Sequence, residues 1–167
     1  AAAFGAVKGK LHSCRFTSFD AERDGEKLTV IAIESGIGKV SAAFAASVLI
    51  LEKGAGVIMN AGLSGAVSGL RRGDIVAGES FIECDFDLSA IGYELGQKPS
   101  GEESLHTGDE ALLEKAKALG LKTGKFGTGD LFLTDKEKKN LFKEKFGICA
   151  FDMETAAIAA VCSKCSV

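Results

Sequence analysis

The chain has 167 residues, 46% of them hydrophobic, and a formal net charge of −3. That length supports one domain with a substantial core. A mean hydropathy of +0.17, with no apolar run near the ~20 residues of a membrane span, argues against both disorder and a membrane protein. Acids and bases are interspersed, which gives no support for nucleic acid or an anionic membrane as partner. The cysteines, Cys14, Cys84, Cys149, Cys162 and Cys165, are odd in number and irregularly spaced, and no signal peptide precedes them. A reduced, cytoplasmic setting fits that pattern. Cys162-Ser-Lys-Cys165 is a lone C-x-x-C, and His12 and His106 are the only histidines. Packing cysteines are expected there rather than a zinc or redox role.

Leu28–Glu34 reads as a buried strand, β-branched and apolar. Ser35-Gly36-Ile37-Gly38 is a tight turn, and Lys39–Lys53 is an Ala/Val/Leu-rich helix. Gly56–Asn60 reads as a second buried strand, Ala61–Gly69 as a Gly/Ser loop, and Asp74–Ala77 as the start of a third strand. Strand, glycine turn, helix and strand make a βαβ unit, which calls for a parallel or mixed sheet covered by helices. Phe81–Leu88 extends that sheet. Asp109–Leu119 is an amphipathic helix closed by Gly120. Gly124–Gly129 is a short strand, and Asp135–Phe146 is a charged helix whose apolar face is Leu141, Phe142 and Phe146. Ile148–Phe151 is a strand that runs straight into the helix headed by Glu154. One α/β domain over residues 1–167 accounts for these elements. The opening AAAFGAVKG reads as mid-helix in character and the closing SKCSV stops where another strand should begin, so both ends read as cut.

Three strand ends open into glycine-rich loops. Ser35-Gly36-Ile37-Gly38-Lys39-Val40 is not a phosphate P-loop, because Ile33 stands where the first glycine belongs and Val40 where Ser or Thr belongs. It is not a dinucleotide fingerprint either, since Ser41 holds the last glycine position. It is a plain tight turn, or a turn whose amides are free for polar or anionic groups. Asn60–Ala66 and Gly127–Leu133 are the other two, each a connector or part of a crevice at the carboxyl ends of the strands. Phe132 is a core residue or a stacking surface for an aromatic ring. Glu154 heads an otherwise apolar, alanine-rich helix. It serves the helix dipole, or it waits for ligand hydroxyls.

In this order SGIGKV, NAGLSGAV followed by GDIV, GYELGQKP, GDLF and DMETAAIAAVC resemble the methylthioadenosine/S-adenosylhomocysteine nucleosidases of the purine nucleoside phosphorylase superfamily. The resemblance runs from about Leu28 to Val167. It implies a three-layer α/β/α sandwich around a central mixed sheet, usually in a homodimer. It implies hydrolysis of the N-glycosidic bond of adenine thionucleosides, without metal or cofactor. Met153 and Glu154 match the ribose-binding pair, with Glu154 accepting from ribose hydroxyls and favouring the oxocarbenium-like sugar. Phe132 matches the residue stacked on adenine, and Leu133 the one whose backbone reads the base edge. Gly65 matches a backbone contact. Ile37 and Leu88 match the apolar 5′-thio pocket. Asp87, Ile91 and Tyr93 fall in a segment that meets the dimer partner.

Some positions depart from the pattern. Leu63 stands where Ser is common, Cys84 where His is expected, and Asp152 where the family has Glu. The catalytic carboxylates, a Glu that activates water and an Asp that protonates adenine, match nothing in residues 1–167. No catalytic residue is therefore assigned within this chain, and the chain alone is expected to be inactive. Phosphorolysis is less favoured, since Asn60 and Leu63 replace the Arg and Ser that hold phosphate. A nucleosidase for another purine nucleoside, such as futalosine, and a non-catalytic nucleoside-binding protein are the remaining alternatives.

Overall fold

The computed structural model describes residues 5–23, 25–99, 102 and 104–167. The first residues of the AAAFGAVKG start, 1–4, lie outside that range. From Val7 the chain is strand rather than the helix its opening suggests, because β2 supplies a ladder partner, and it builds a three-stranded antiparallel sheet of β1 (Val7–Leu11), β2 (Cys14–Arg23) and β3 (Glu26–Ile33), in that order. The β1–β2 connection needs only two residues, and His12 turns it with φ 53. The expected strand at Leu28–Glu34 is thus present as β3, but it is not buried: Leu28 is 63% exposed and only Val30, Ile31 and Ile33 are partly covered. Its neighbour, however, is the antiparallel β2, paired from Phe16↔Ile33 to Arg23↔Glu26.

Helix α1 (Lys39–Lys53) follows and ends at Gly54, whose left-handed backbone returns its N–H to the carbonyls of Ile50 and Leu49. The expected strand at Gly56–Asn60 does not form: these residues pair with no strand. A strand exists only through its ladder partners. Here Val57 is 66% and Met59 79% exposed, and only Ile58 packs, against Ala42, Ala46 and Ile158. The anticipated βαβ unit is therefore not closed, and the strand before α1 belongs to a different sheet from the strands after it.

The second sheet is mixed. It comprises β4 (Gly65–Ala66), β5 (Val76–Glu83), β6 (Leu105–Thr107), β7 (Lys122–Thr128) and β8 (Ala150–Asp152) in the order β4-β8-β7-β5-β6. The central strands β5, β7 and β8 run parallel, and the edge strands β4 and β6 are antiparallel. Helices α2 (Glu110–Ala118) and α4 (Thr155–Cys165) both lie against β5 and β7, and α1 packs on α4. Alanines on both helices allow that approach, with Ala42 and Ala46 meeting Ile158. Helix α3 (Lys136–Phe146) sends Phe142 and Phe146 into a core shared with Cys84, Ile148 and Phe151. Helix starts are capped as their sequences require: Asp109 accepts from Leu112 N–H and Asp135 from Lys138 N–H. The α/β architecture with a mixed central sheet is as expected from the sequence.

Gly127, in the middle strand of that sheet, has no room for a side chain. A Cβ there would lie 2.6 Å from Cys84 Sγ and 2.7 Å from Ile148 Cδ1. Gly127→Ala should lower stability by about 1–3 kcal/mol, read from urea denaturation. Gly62→Ala, which meets nothing within 4 Å, should change it by less than ~0.5 kcal/mol.

Candidate functional site

Parallel strands bring their carboxyl ends to one edge of a sheet, where α/β proteins place ligands. Here that edge carries Glu83–Asp85 at the end of β5, Thr128–Asp130 at the end of β7 and Asp152–Glu154 at the end of β8. The N-terminus of α1 reaches the same edge, because Gly38 N–H donates to Glu154 Oε1 at 2.9 Å and Lys39 N–H to Asp130 Oδ1 at 2.8 Å.

Asp152, two residues before the N-cap Glu154, caps α4 with its side chain. Its Oδ1 accepts from the N–H groups of Glu154 and Thr155 at 3.2 and 3.1 Å and from Thr128 Oγ1 at 2.6 Å, and its Oδ2 accepts from Thr155 Oγ1. Thr128 Oγ1 in turn accepts from Ala156 N–H at 3.0 Å, so the first turn of α4 is satisfied by β7 and β8. Glu154 makes no capping bond within its own helix. Its carboxylate reaches across to Gly38 and takes Met153 N–H at 3.2 Å on Oε2. An ionised carboxylate offers about four acceptor sites, so two remain.

The turn before α1 does not offer free amides at Gly38 and Lys39. Both are taken by the chain's own carboxylates, Glu154 and Asp130. Of the two readings of SGIGKV, anion capture by these two amides is therefore excluded. Their positive ends at the α1 N-terminus are satisfied internally.

Beside Glu154 lies a charge network that sequence reading missed. Lys39 Nζ donates to Glu83 Oε2 at 2.9 Å and to Asp85 Oδ1 at 2.8 Å, and Lys98 Nζ pairs with Glu83 Oε1 at 2.7 Å. Asp85 Oδ2 accepts from Asp130 N–H at 2.8 Å. The side chains of Lys39, Glu83, Asp85 and Lys98 are 10–20% exposed. The available signal was the acidic residues Glu83 and Asp85 set into the apolar Phe81–Leu88 stretch. Burial pushes the Lys39 ammonium down, but hydrogen bonds to Asp85 and Glu83 outweigh it and hold its pKa above the ordinary value. Burial likewise pushes Glu83 up, and Lys98 and Lys39 bring it below its ordinary range.

The anticipated site residues are distributed unevenly. Gly65 pairs with Phe151 in the register of β4 and β8, two residues before the Met153-Glu154 pair. Met153 is half-buried. Phe132 is 85% exposed, a bare ring two residues beyond Asp130. Leu133 packs against the core containing Phe142 and Phe151. Ile37 is 78% exposed beside Gly38, Leu88 is half-buried and Ile91 is 69% exposed. Leu63 is fully exposed. A depression of about 320 Å³ lies between α1 and α4, lined by Lys39, Val40, Glu83, Ala157 and Lys164 among others, but by none of these residues. Cys84, at 0% exposure, packs against Gly127, and burial together with nearby Asp85 pushes its thiol up to about 12. Cys162 and Cys165 are half-buried free thiols.

The network makes a pH prediction. Glu83 has an ordinary pKa of 4.5 and a lowered one in the fold, so its contribution is complete above 4.5 and is lost as pH falls through the lowered value. Lys39, raised from 10.5, contributes fully below 10.5 and loses that contribution as pH rises further. Glu83→Gln should cost about 2 kcal/mol at neutral pH and flatten the acid limb of stability against pH. Urea midpoints measured from neutral to acid pH check this.

Residues 7–167 match the family model described as the Phosphorylase superfamily. The chain is 37% identical over 147 residues to a 5′-methylthioadenosine/S-adenosylhomocysteine nucleosidase of Geobacillus sp. (strain WCH70), covering 83% of this chain and 63% of that protein. It is 34% identical to the protein of the same name from Geobacillus kaustophilus, covering 95% of this chain and 69% of that one. An aminodeoxyfutalosine nucleosidase of Campylobacter jejuni is 38% identical, with 80% and 61% covered. The chain thus spans a little under two thirds of the length of most such relatives. Among solved structures, a Helicobacter pylori 5′-methylthioadenosine/S-adenosylhomocysteine nucleosidase superposes with a TM-score of 0.89 at 27% identity, covering 99% of this chain and 73% of that one. The mixed sheet, the strand-end carboxylates and these matches together show that the chain belongs to the phosphorylase superfamily, within its methylthioadenosine/S-adenosylhomocysteine nucleosidase family.

Proposed function

We propose that residues 1–167, as a single phosphorylase-like domain, supply the nucleoside-binding part of a purine nucleosidase. The reaction adds water across the N-glycosidic bond of methylthioadenosine or S-adenosylhomocysteine and releases adenine and a thioribose, in methionine and purine salvage. The observation that carries this reading is the division of labour at the start of α4. Asp152 caps the helix, so Glu154 is not needed there and holds a carboxylate with acceptor capacity left at the strand-end edge. Two such sites suit two ribose hydroxyls, and the negative charge favours a sugar turning cationic as the bond breaks. The exposed Phe132 ring suits stacking on a purine. Leu133, Gly65 and Met153 complete the base and ribose contacts, and Ile37 and Leu88 supply apolar surface for the 5′-thio group.

Water is favoured over phosphate as the second reactant. Asn60, at the position where phosphorylases hold a cation, donates its side-chain N–H to Thr155 Oγ1 at 2.8 Å and is spent on the fold. The aminodeoxyfutalosine nucleosidase of Campylobacter jejuni, at 38% identity, supports a second reading with a different 5′ substituent on the same bond cleavage. The base and acid carboxylates are not assigned to residues of this chain. A homodimer using the Asp87–Tyr93 segment and a cytoplasmic location, favoured by the free thiols, complete the proposal.

Titration of the chain with methylthioadenosine should show binding that Phe132→Ala weakens about tenfold, the scale of base–aromatic stacking of ~1–3 kcal/mol. Glu154→Gln should weaken it by about 10–100-fold, since bonds to a charged acceptor are worth ~1.5–3 kcal/mol, while melting stays within a few degrees of the parent, because Asp152 keeps its cap and the Gln carbonyl still accepts from Gly38 N–H. Equal affinity in all three proteins sinks the reading. With no general acid or base assigned, adenine release by the chain alone should run at least ~10²-fold below that of family enzymes; release at the family rate would refute that part.

A further inference from the structure

The first turn of α1 is capped from outside its own sequence. Gly38, at the N-cap, has no side chain to offer. Its N–H goes to Glu154 and the next one, of Lys39, goes to Asp130. These two successive amides therefore hold the two halves of the proposed nucleoside site, the ribose carboxylate and the segment leading to Phe132 and Leu133. Asp130 is held in turn. Its own N–H donates to Asp85 Oδ2, and Asp85 Oδ1 accepts from Lys39 Nζ. Lys39, Asp85 and Asp130 thus close a ring through one side chain–side chain bond and two backbone–side chain bonds.

Both glycines next to the ring make room for it. At Gly38, with φ +89, a Cβ would lie 2.9 Å from Asp130 Oδ1. At Gly129 a Cβ would lie 3.0 Å from Asp85 Cγ. Asp130 is itself exposed, so one bond to it would compete with water and hold little. Closure of the ring by three residues, two of them only about 20% exposed, gives the tether its rigidity. Beyond Asp130 the segment is compact, with Leu131 N–H bonded to Gly129 O at 2.8 Å and Thr134 N–H to Phe132 O at 2.9 Å. Phe132 therefore follows wherever Asp130 is anchored.

We infer that Asp130 is a positioning residue, which locks the Phe132–Leu133 segment to the first turn of α1 and so sets the spacing between the base-binding and ribose-binding halves of the site. The role in ligand binding rests on the nucleoside reading above; the tether itself does not. Asp130 touches no reacting atom and acts through Lys39 and Asp85.

The test uses the whole chain and the variants Asp130→Ala, Asp130→Asn and Phe132→Ala, with hydrogen exchange of the segment 129–134 and titration with adenine. Asp130→Ala should raise exchange there about tenfold and weaken adenine about tenfold. Asp130→Asn, which keeps the Oδ1 acceptor for Lys39 N–H, should restore both to within about threefold. Unchanged exchange in Asp130→Ala overturns the tether. Raised exchange with unchanged adenine affinity, while Phe132→Ala weakens adenine, overturns the positioning role and leaves the nucleoside reading standing. Adenine affinity unaffected by Phe132→Ala overturns the nucleoside reading, and the exchange result then decides the tether by itself.

Discussion

The carboxylate of Asp152 is the constraint on which the site depends. It is 8% exposed, and a buried charge is tolerated only when its acceptor sites are filled. They are filled from two directions. Thr128 reaches it from the neighbouring parallel strand, while Glu154 and Thr155 supply the orphan amides of the α4 N-terminus. One group therefore joins β7 to β8, starts α4 and fixes the direction in which the chain leaves the sheet. Thr128, at 0% exposure, completes the joint by accepting from Ala156 N–H.

That arrangement frees the adjacent residue. A Glu at a helix start ordinarily satisfies its own helix. With the cap already supplied, Glu154 spans to α1 and ties the helix before the mixed sheet to the helix after it. The packing of Ala42 and Ala46 on Ile158 brings those helices close enough for the span. Next to it, Lys39 is drawn between Glu83 and Asp85, and Lys98 lies near the Phe86 ring at 5.8 Å while pairing with Glu83. The strand-end edge is thus a chain of satisfied charges whose balance keeps Glu83 ionised and Lys39 protonated. Removing one partner of such a network leaves the others half-buried and unpaired, so its loss costs more than the pairing adds net.

Some of this was legible from residue order. The helices at Lys39, Asp109, Asp135 and Glu154 carry caps, stops or periodicity in their own residues, and each is present to within a residue or two. The strands at Leu28 and Ile148 were legible from β-branched or apolar runs, and the short strand read at Gly124 is present within β7. The Gly56–Asn60 run was equally apolar, yet it forms no strand, because a ladder needs partners that a single segment cannot specify. Strands β1 and β2 were not legible because Val7–Leu11 and Cys14–Arg23 intersperse their few apolar residues with Lys, Arg, Thr, Ser, Asp and Glu and show no continuous apolar run. Met153, Glu154, Phe132 and Gly65 were marked by motif. The ring of Lys39, Asp85 and Asp130 was not, since its members are 46 and 45 residues apart along the chain.

Residue order by itself determined the α/β class, the helix boundaries and the resemblance to the nucleosidases, because these rest on local caps, periodicity and motif spacing. Tertiary structure decided which sheet each strand joins, that Asp152 rather than Glu154 caps α4, and that the amides of the SGIGKV turn are spent on internal carboxylates. The reason is the same in each case. Hydrogen-bond partners of buried polar groups are chosen by proximity in space, and only folding brings Gly38 to Glu154 across 116 positions of sequence.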